Sequence, residues 1–169
     1  MIGYLAFAAF ALTVPAANWM ISHVGSCNGH VCVIPVGFAL YAPSGVLMVG
    51  LALVLRDLVH EIYDTRGALL AIAAGAVLSA FVAPPSLVVA SVAAFTFAEL
   101  ADLVVYAPLR HKRLWLAVLA SGLAGSVVDS ALFLWLAFGS FDFIAGQVVG
   151  KLWMTLAAVP ALIAVRVRA

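Results

Sequence analysis

The feature that most restricts this chain is a succession of apolar stretches, each about as long as a bilayer is thick, separated by short polar breaks. A hydrocarbon core of about 30 Å takes about 20 apolar residues of helix to cross. Stretches of that kind cover 2–21, 38–63, 68–83, 87–108, 114–137 and 142–165 of the 169 residues. Six crossings consume roughly 120 residues, which leaves room for short connections and no soluble catalytic or nucleotide-binding domain. Charged residues make up only 9% of the chain, where a soluble domain carries about a quarter. Most of the surface must therefore meet lipid. The expected fold is an all-α integral membrane protein, a single domain (1–169) built as a compact bundle of six transmembrane helices. The first stretch is itself of crossing length and leads into further ones, so it reads as a span and not as a removable signal peptide.

The basic residues orient the bundle. Arg66, then Arg110, Lys112 and Arg113, then Arg166 and Arg168 fall in alternate connections and the tail, whereas 22–37, 84–86 and 138–141 carry no Lys or Arg. By the positive-inside rule both termini are cytoplasmic, and an even number of crossings agrees. A multi-pass protein of a bacterial-type cytoplasmic (inner) membrane is the expected localisation. Net charge is only +1, and the His111-Lys112-Arg113 cluster reads as a topology signal, so no nucleic-acid partner is indicated. Pro84-Pro85 should end the third span, because proline lacks an N–H donor and restricts its predecessor. Asp64-Thr65-Arg66-Gly67 reads as the turn between the second and third. Tyr4, Trp19, Trp115 and Trp135 read as interface aromatics.

Inside these apolar stretches lie Arg56, Asp57, Glu99, Asp102, Asp129 and Lys151. A charge at mid-bilayer costs about 2.5–3.5 kcal/mol even on the lenient insertion scale, so six facing lipid would cost on the order of 15 kcal/mol. That rivals the whole stability of a domain. They must converge on a shared interior, pair with one another or hold protons, and a bundle that only packs has no reason to carry them. Helical spacing supports convergence. Arg56 with His60, Asp57 with Glu61, and Gln147 with Lys151 are i, i+4 pairs; Glu99, Asp102 and Tyr106 make one stripe. Gly122, Gly125, Gly146 and Gly150 permit close helix approach. The Gly146 and Gly150 spacing serves equally a homodimer or packing within one bundle.

Asp57, Glu99, Asp102 and Asp129 outnumber Arg56 and Lys151 by two, and burial disfavours ionised carboxyls. A proton or a substrate cation supplies the balance, which is the basis for expecting proton-coupled transport. The competing reading makes Arg56 and Lys151 structural clamps. Asp129 and Lys151, near mid-membrane on consecutive spans, are placed to pair. Cys27 and Cys32 share the loop at 22–37, where they either pair or remain free thiols; with His23 and His30 they match no standard zinc spacing. No metal site is expected. An intramembrane enzyme is disfavoured, since the chain lacks G-x-S-x-G and H-E-x-x-H.

Several segments in order, Ala17-Asn18-Trp19, Ala42-Pro43-Ser44-Gly45, Arg56 to Glu61, Glu99 to Asp102 with Val105 to Arg110, Asp129-Ser130 with Phe133, and Gly146-Gln147 to Gly150-Lys151, resemble the queuosine-precursor transporter family, also described as vitamin-uptake-transporter-like membrane proteins. The resemblance implies a six-helix importer of 7-deazaguanine bases such as 7-cyano-7-deazaguanine and 7-aminomethyl-7-deazaguanine, with no cofactor. Its partners would be a small purine-like ligand and the lipid bilayer. Such a base would be held by Glu99, Asp102, Asp129, Gln147, Lys151, Trp153 and Asn18, and Arg56, Asp57, Glu61 and Tyr106 would line a polar pathway or gate. A substrate-capture subunit energised by a separate complex is the related alternative.

Overall fold

A computed structural model describes residues 2–28 and 31–168. The chain runs α1 (Ile2–His23), β1 (Ser26–Asn28), β2 (Val31–Gly37), β3 (Leu40–Pro43), α2 (Val46–Val82), α3 (Val88–Leu109), α4 (Leu114–Phe138) and α5 (Ile144–Arg168). Among the described residues, α1 to α4 are each long and apolar enough to cross a membrane, and α5 is apolar over the shorter stretch Ile144–Pro160. α2 packs against α1, α3 and α5, while α4 lies against α3 and α5. Large apolar side chains point outward all along the bundle, with Tyr4, Phe81 and Val89 at least three-quarters exposed. This is an all-α membrane architecture carrying one small sheet.

α2 spans 37 residues, nearly twice a crossing, and is broken at Asp64, whose φ of 56° and ψ of −168° are not helical. The break divides it into arms over 46–63 and 65–82. Positive φ in a non-glycine residue costs on the order of 1–3 kcal/mol and persists only where the surroundings hold it. Two expectations are corrected here. The helix begins at Val46 rather than at 38, and Thr65, Arg66 and Gly67 are helical rather than part of a four-residue turn. Pro84-Pro85 does follow the end of α2, with Ala83 as its extended cap.

The connection expected as loop at 22–37 is instead an antiparallel sheet in the order β1-β2-β3. Gly37 pairs with Leu40 across a two-residue turn, and the turn residues Phe38 and Ala39 both have positive φ, as the type I′ hairpin turn demands. Cys27 and Cys32 stand opposite each other in the β1–β2 register and form a disulfide. Gly29 and His30 lie outside the described residues. Both thiols are consumed by the bond, so neither can ligate zinc as a free thiolate.

The sheet is anchored to the helices from three sides. The Ser44 hydroxyl donates to the Met20 carbonyl (2.6 Å), and the Trp153 indole donates to Val36 O (2.9 Å). Gly146 lies so close to the Tyr41 carbonyl that no Cβ fits there, and a Cβ on Gly45 would come within 2.7 Å of Ala17 O. The Ala17-Asn18-Trp19 and Ala42-Pro43-Ser44-Gly45 segments are therefore neighbours, held together by a backbone approach that only glycine permits. At the opposite end, Arg110 at the α3–α4 turn meets Asp64 at the α2 break.

Candidate functional site

The buried ionic residues assemble into two nests. The first centres on Lys151, whose ammonium carries three N–H donors. All three are used: Lys151 Nζ donates to Asp129 Oδ2 at 2.6 Å, Ser130 Oγ at 2.7 Å and Gln147 Oε1 at 2.8 Å. The Ser130 hydroxyl in turn donates a hydrogen bond to the Ser126 carbonyl (2.6 Å). Close approach of α2 and α5 makes this geometry possible, since a Cβ on Gly50 would lie 2.7 Å from the Lys151 backbone. One cation meets one carboxylate, so the nest is electrically balanced.

The second nest surrounds Arg56, which is completely buried. Its NH1 lies 2.8 Å from Asp57 Oδ1, its Nε donates to Glu99 Oε2 at 3.0 Å, and its NH2 pairs with Asp102 Oδ1. The guanidinium also lies over the Tyr106 ring, 5.9 Å from its centroid. Glu99, Asp102 and Tyr106 are all buried along one face of α3, as their spacing predicts. Gly125 lets α4 close over them, because a Cβ there would stand 3.0 Å from Asp102 Cβ. Here one cation meets three carboxylates.

A third group closes the end marked by the α2 break. The Tyr106 hydroxyl donates to Glu61 Oε1 (3.0 Å), and Arg110 reaches His60 O (3.2 Å), Glu61 Oε1 (3.5 Å) and Asp64 Oδ1 (2.8 Å). The hydrogen bond from Arg110, with the attraction of its charge, holds the exposed Asp64 carboxyl below its ordinary value. Thr65 Oγ1 and His60 Nε2 stand 3.3 Å apart.

At the sheet end lies a cavity of about 80 Å³, lined in part by Thr13, Asn18, Phe95, Asp129, Phe133 and Gln147. At ~10–15 Å³ per water that volume admits several water molecules. Every helical lining residue comes from the half of its helix, or of its α2 arm, that adjoins the sheet.

The residues expected to hold the base thus fall into two layers, with Trp153 outside both. Asp129, Gln147 and Asn18 reach the cavity; Glu99, Asp102 and Lys151 are sealed behind it. Asn18 also donates to Val14 O (2.9 Å). Trp153 is not in the polar interior: it is 47% exposed, stacked on Phe38 and committed to Val36 O. Four contributors were not among the expected site residues. Ser130 sits one turn from Ser126, and Arg110 extends the Glu99–Asp102–Tyr106 stripe by one further turn, so both carried a spacing signal. Phe95 and Phe133 reach the cavity by tertiary packing alone. Among the described residues, no group of three or more His, Cys, Asp or Glu is arranged to hold a metal.

Apolar helices around a charged, hydrogen-bonded interior define a multi-pass membrane protein with a polar core. A family model described as "Putative vitamin uptake transporter" matches residues 76–165, more than half of the chain, and the chain belongs to that family. The match covers Glu99 and Asp102 of the Arg56 nest and the whole Lys151 nest. No curated protein and no solved structure matches the chain.

Proposed function

We propose that this protein is a carrier importing a small, flat, purine-like solute, a 7-deazaguanine precursor of queuosine, across a bacterial-type cytoplasmic membrane. In this reading the two arms of α2 are separate crossings, giving six in all, with both termini cytoplasmic. The sheet then covers the outer mouth, and the Arg110–Glu61–Asp64 group closes the inner one. The observation that carries the proposal is the cavity on the sheet side, where Asp129 and Gln147 present acceptors beside Phe95 and Phe133.

The chemistry suits such a base. A carboxylate accepts the paired N–H donors of a guanine-like edge, the Gln147 amide meets a carbonyl, and phenyl rings supply stacking surface. A solute bound at Asp129 would compete with Lys151 for the same carboxylate, linking occupancy to the packing of α4 on α5. The test is uptake of labelled 7-cyano-7-deazaguanine by cells that lack their own precursor synthesis. Expression of the chain should restore accumulation, and Asp129→Asn should remove it at unchanged membrane abundance. Purified protein in sealed vesicles should suffice. Binding without accumulation there would instead mark a capture subunit that needs a separate energising complex.

A further inference from the structure

We infer that the Arg56 nest is a proton-binding site, distinct from the solute cavity, through which a proton gradient is coupled to solute movement. This rests on the carrier reading above and adds the residues that would hold the coupling ion. Its first support is charge. Arg56 touches Asp57, Glu99 and Asp102, none of the four is more than 2% exposed, and the other buried cation, Lys151, already uses its three donors elsewhere. Three ionised carboxylates around one guanidinium would leave two uncompensated negative charges in a site without access to water. Protons are the ligands that remove them without requiring space. The second support is placement: Asp102 meets the guanidinium through Oδ1, and its Oδ2, also fully buried, is not the oxygen paired with Arg56. A carboxyl oxygen in that position is free to carry a proton.

Titratable groups extend from the nest in both directions. Toward the solute cavity, Glu99 lies within electrostatic reach of Asp129. Toward the inner end, Glu61 follows Asp57 by one helical turn and accepts the Tyr106 hydroxyl, with Arg110 beyond it. The titratable and charged groups facing the nest are thus Asp57, His60 and Glu61 from α2, Glu99, Asp102 and Tyr106 from α3, Asp129 from α4 and, through Asp129, Lys151 from α5. Tyr4 and His23 of α1 lie at the two ends of that helix. The step is a simple one: a carboxylate oxygen gains a proton passed inward from one side by way of Asp129, and the same O–H bond later breaks to pass it to the other side by way of Glu61. No electron transfer is involved.

The experiment uses purified protein in sealed vesicles loaded against a pH gradient, with 7-cyano-7-deazaguanine as the probe. If one proton accompanies each neutral solute, a gradient of one pH unit supports about tenfold accumulation at steady state, and two protons about a hundredfold. This ratio is independent of turnover rate. In Glu99→Gln and Asp102→Asn it should fall to one while solute counterflow remains detectable. A ratio in the wild-type protein that ignores the gradient, or variants that keep the wild-type ratio, would overturn the assignment. Loss of counterflow in the wild type would count against the carrier reading instead. Infrared spectroscopy decides the proton site without any solute. A protonated-carboxyl band is expected in the wild type and should shrink in these variants. Absence of that band from the wild type overturns the proposal, and this holds even if a variant fails to reach the membrane.

Discussion

The Lys151 and Arg56 nests are made of the same materials and do opposite things with them. The three donors of Lys151 meet three acceptors, a single carboxylate among them, and two of its partners, Asp129 and Gln147, border the cavity. Arg56 stands among three carboxylates, and no member of its group lines that cavity. A balanced nest needs no further ligand to be stable, so its cavity-facing acceptors are available for exchange with a solute. An unbalanced one is stable only with something added. The contrast separates the place where a solute can compete from the place where charge must be supplied.

The sharpest way to break this comparison is to remove each cation. Arg56→Met would leave three buried carboxylates without a partner. Loss of one partner from a buried pair already costs about 3–5 kcal/mol, and marginal folds hold only about 5–15 kcal/mol in total. Little protein should reach the membrane, which immunoblotting of membrane fractions would read. Lys151→Met removes one partner from one carboxylate, so a loss of about 3–5 kcal/mol is expected. The protein should insert but melt earlier in detergent, with uptake abolished. Equal abundance of the two variants would refute the difference in charge balance.

Smaller effects sharpen the picture. Trp153→Phe keeps the ring against Phe38 and removes the indole bond to Val36 O, for a loss of about 0.5–1.5 kcal/mol. Uptake at saturating solute should stay near wild type, because Trp153 anchors the sheet and lies outside the cavity. A large rise in the concentration needed for half-maximal uptake would return it to the binding site. The smallest effect concerns Asp64. Arg110 lowers its folded value below the ordinary 3.8, so its contribution is complete above that value and is lost as pH falls through the lower folded one. The stability difference between wild type and Asp64→Asn should therefore be constant from pH 5 to 8. It should vanish only on stronger acidification. Thermal melting across that range checks it, and a difference changing near neutrality would exclude Asp64 as its source.

Much of this was legible along the chain. Glu99, Asp102 and Tyr106 share a buried face because residues three and four apart always do, and Pro84-Pro85 ends a helix wherever it occurs. Asp129 and Lys151 meet because two charges of opposite sign at similar depth on consecutive helices have no better partner. The sheet was not legible. Its hairpin turns through Phe38 and Ala39 instead of the Asn-Gly or Asp-Gly that ordinarily marks positive φ, and its strands are apolar enough to pass for the start of a span. The kink at Asp64 was read as a longer turn because helix resumes at once in Thr65.

Local chemistry alone thus determined that the chain must cross a membrane, where its helices stop and which charges cannot face lipid, since each follows from burial cost and helical period. Only the tertiary structure decided which carboxylates gather around Arg56. It put Phe95 and Phe133 at the cavity and Trp153 outside it, and made Arg110 a clasp on α2. These outcomes depend on the rotation and closeness of helices distant in sequence. That closeness is set by contacts such as Gly50 against the Lys151 backbone and Gly125 against Asp102, which no one-dimensional pattern contains.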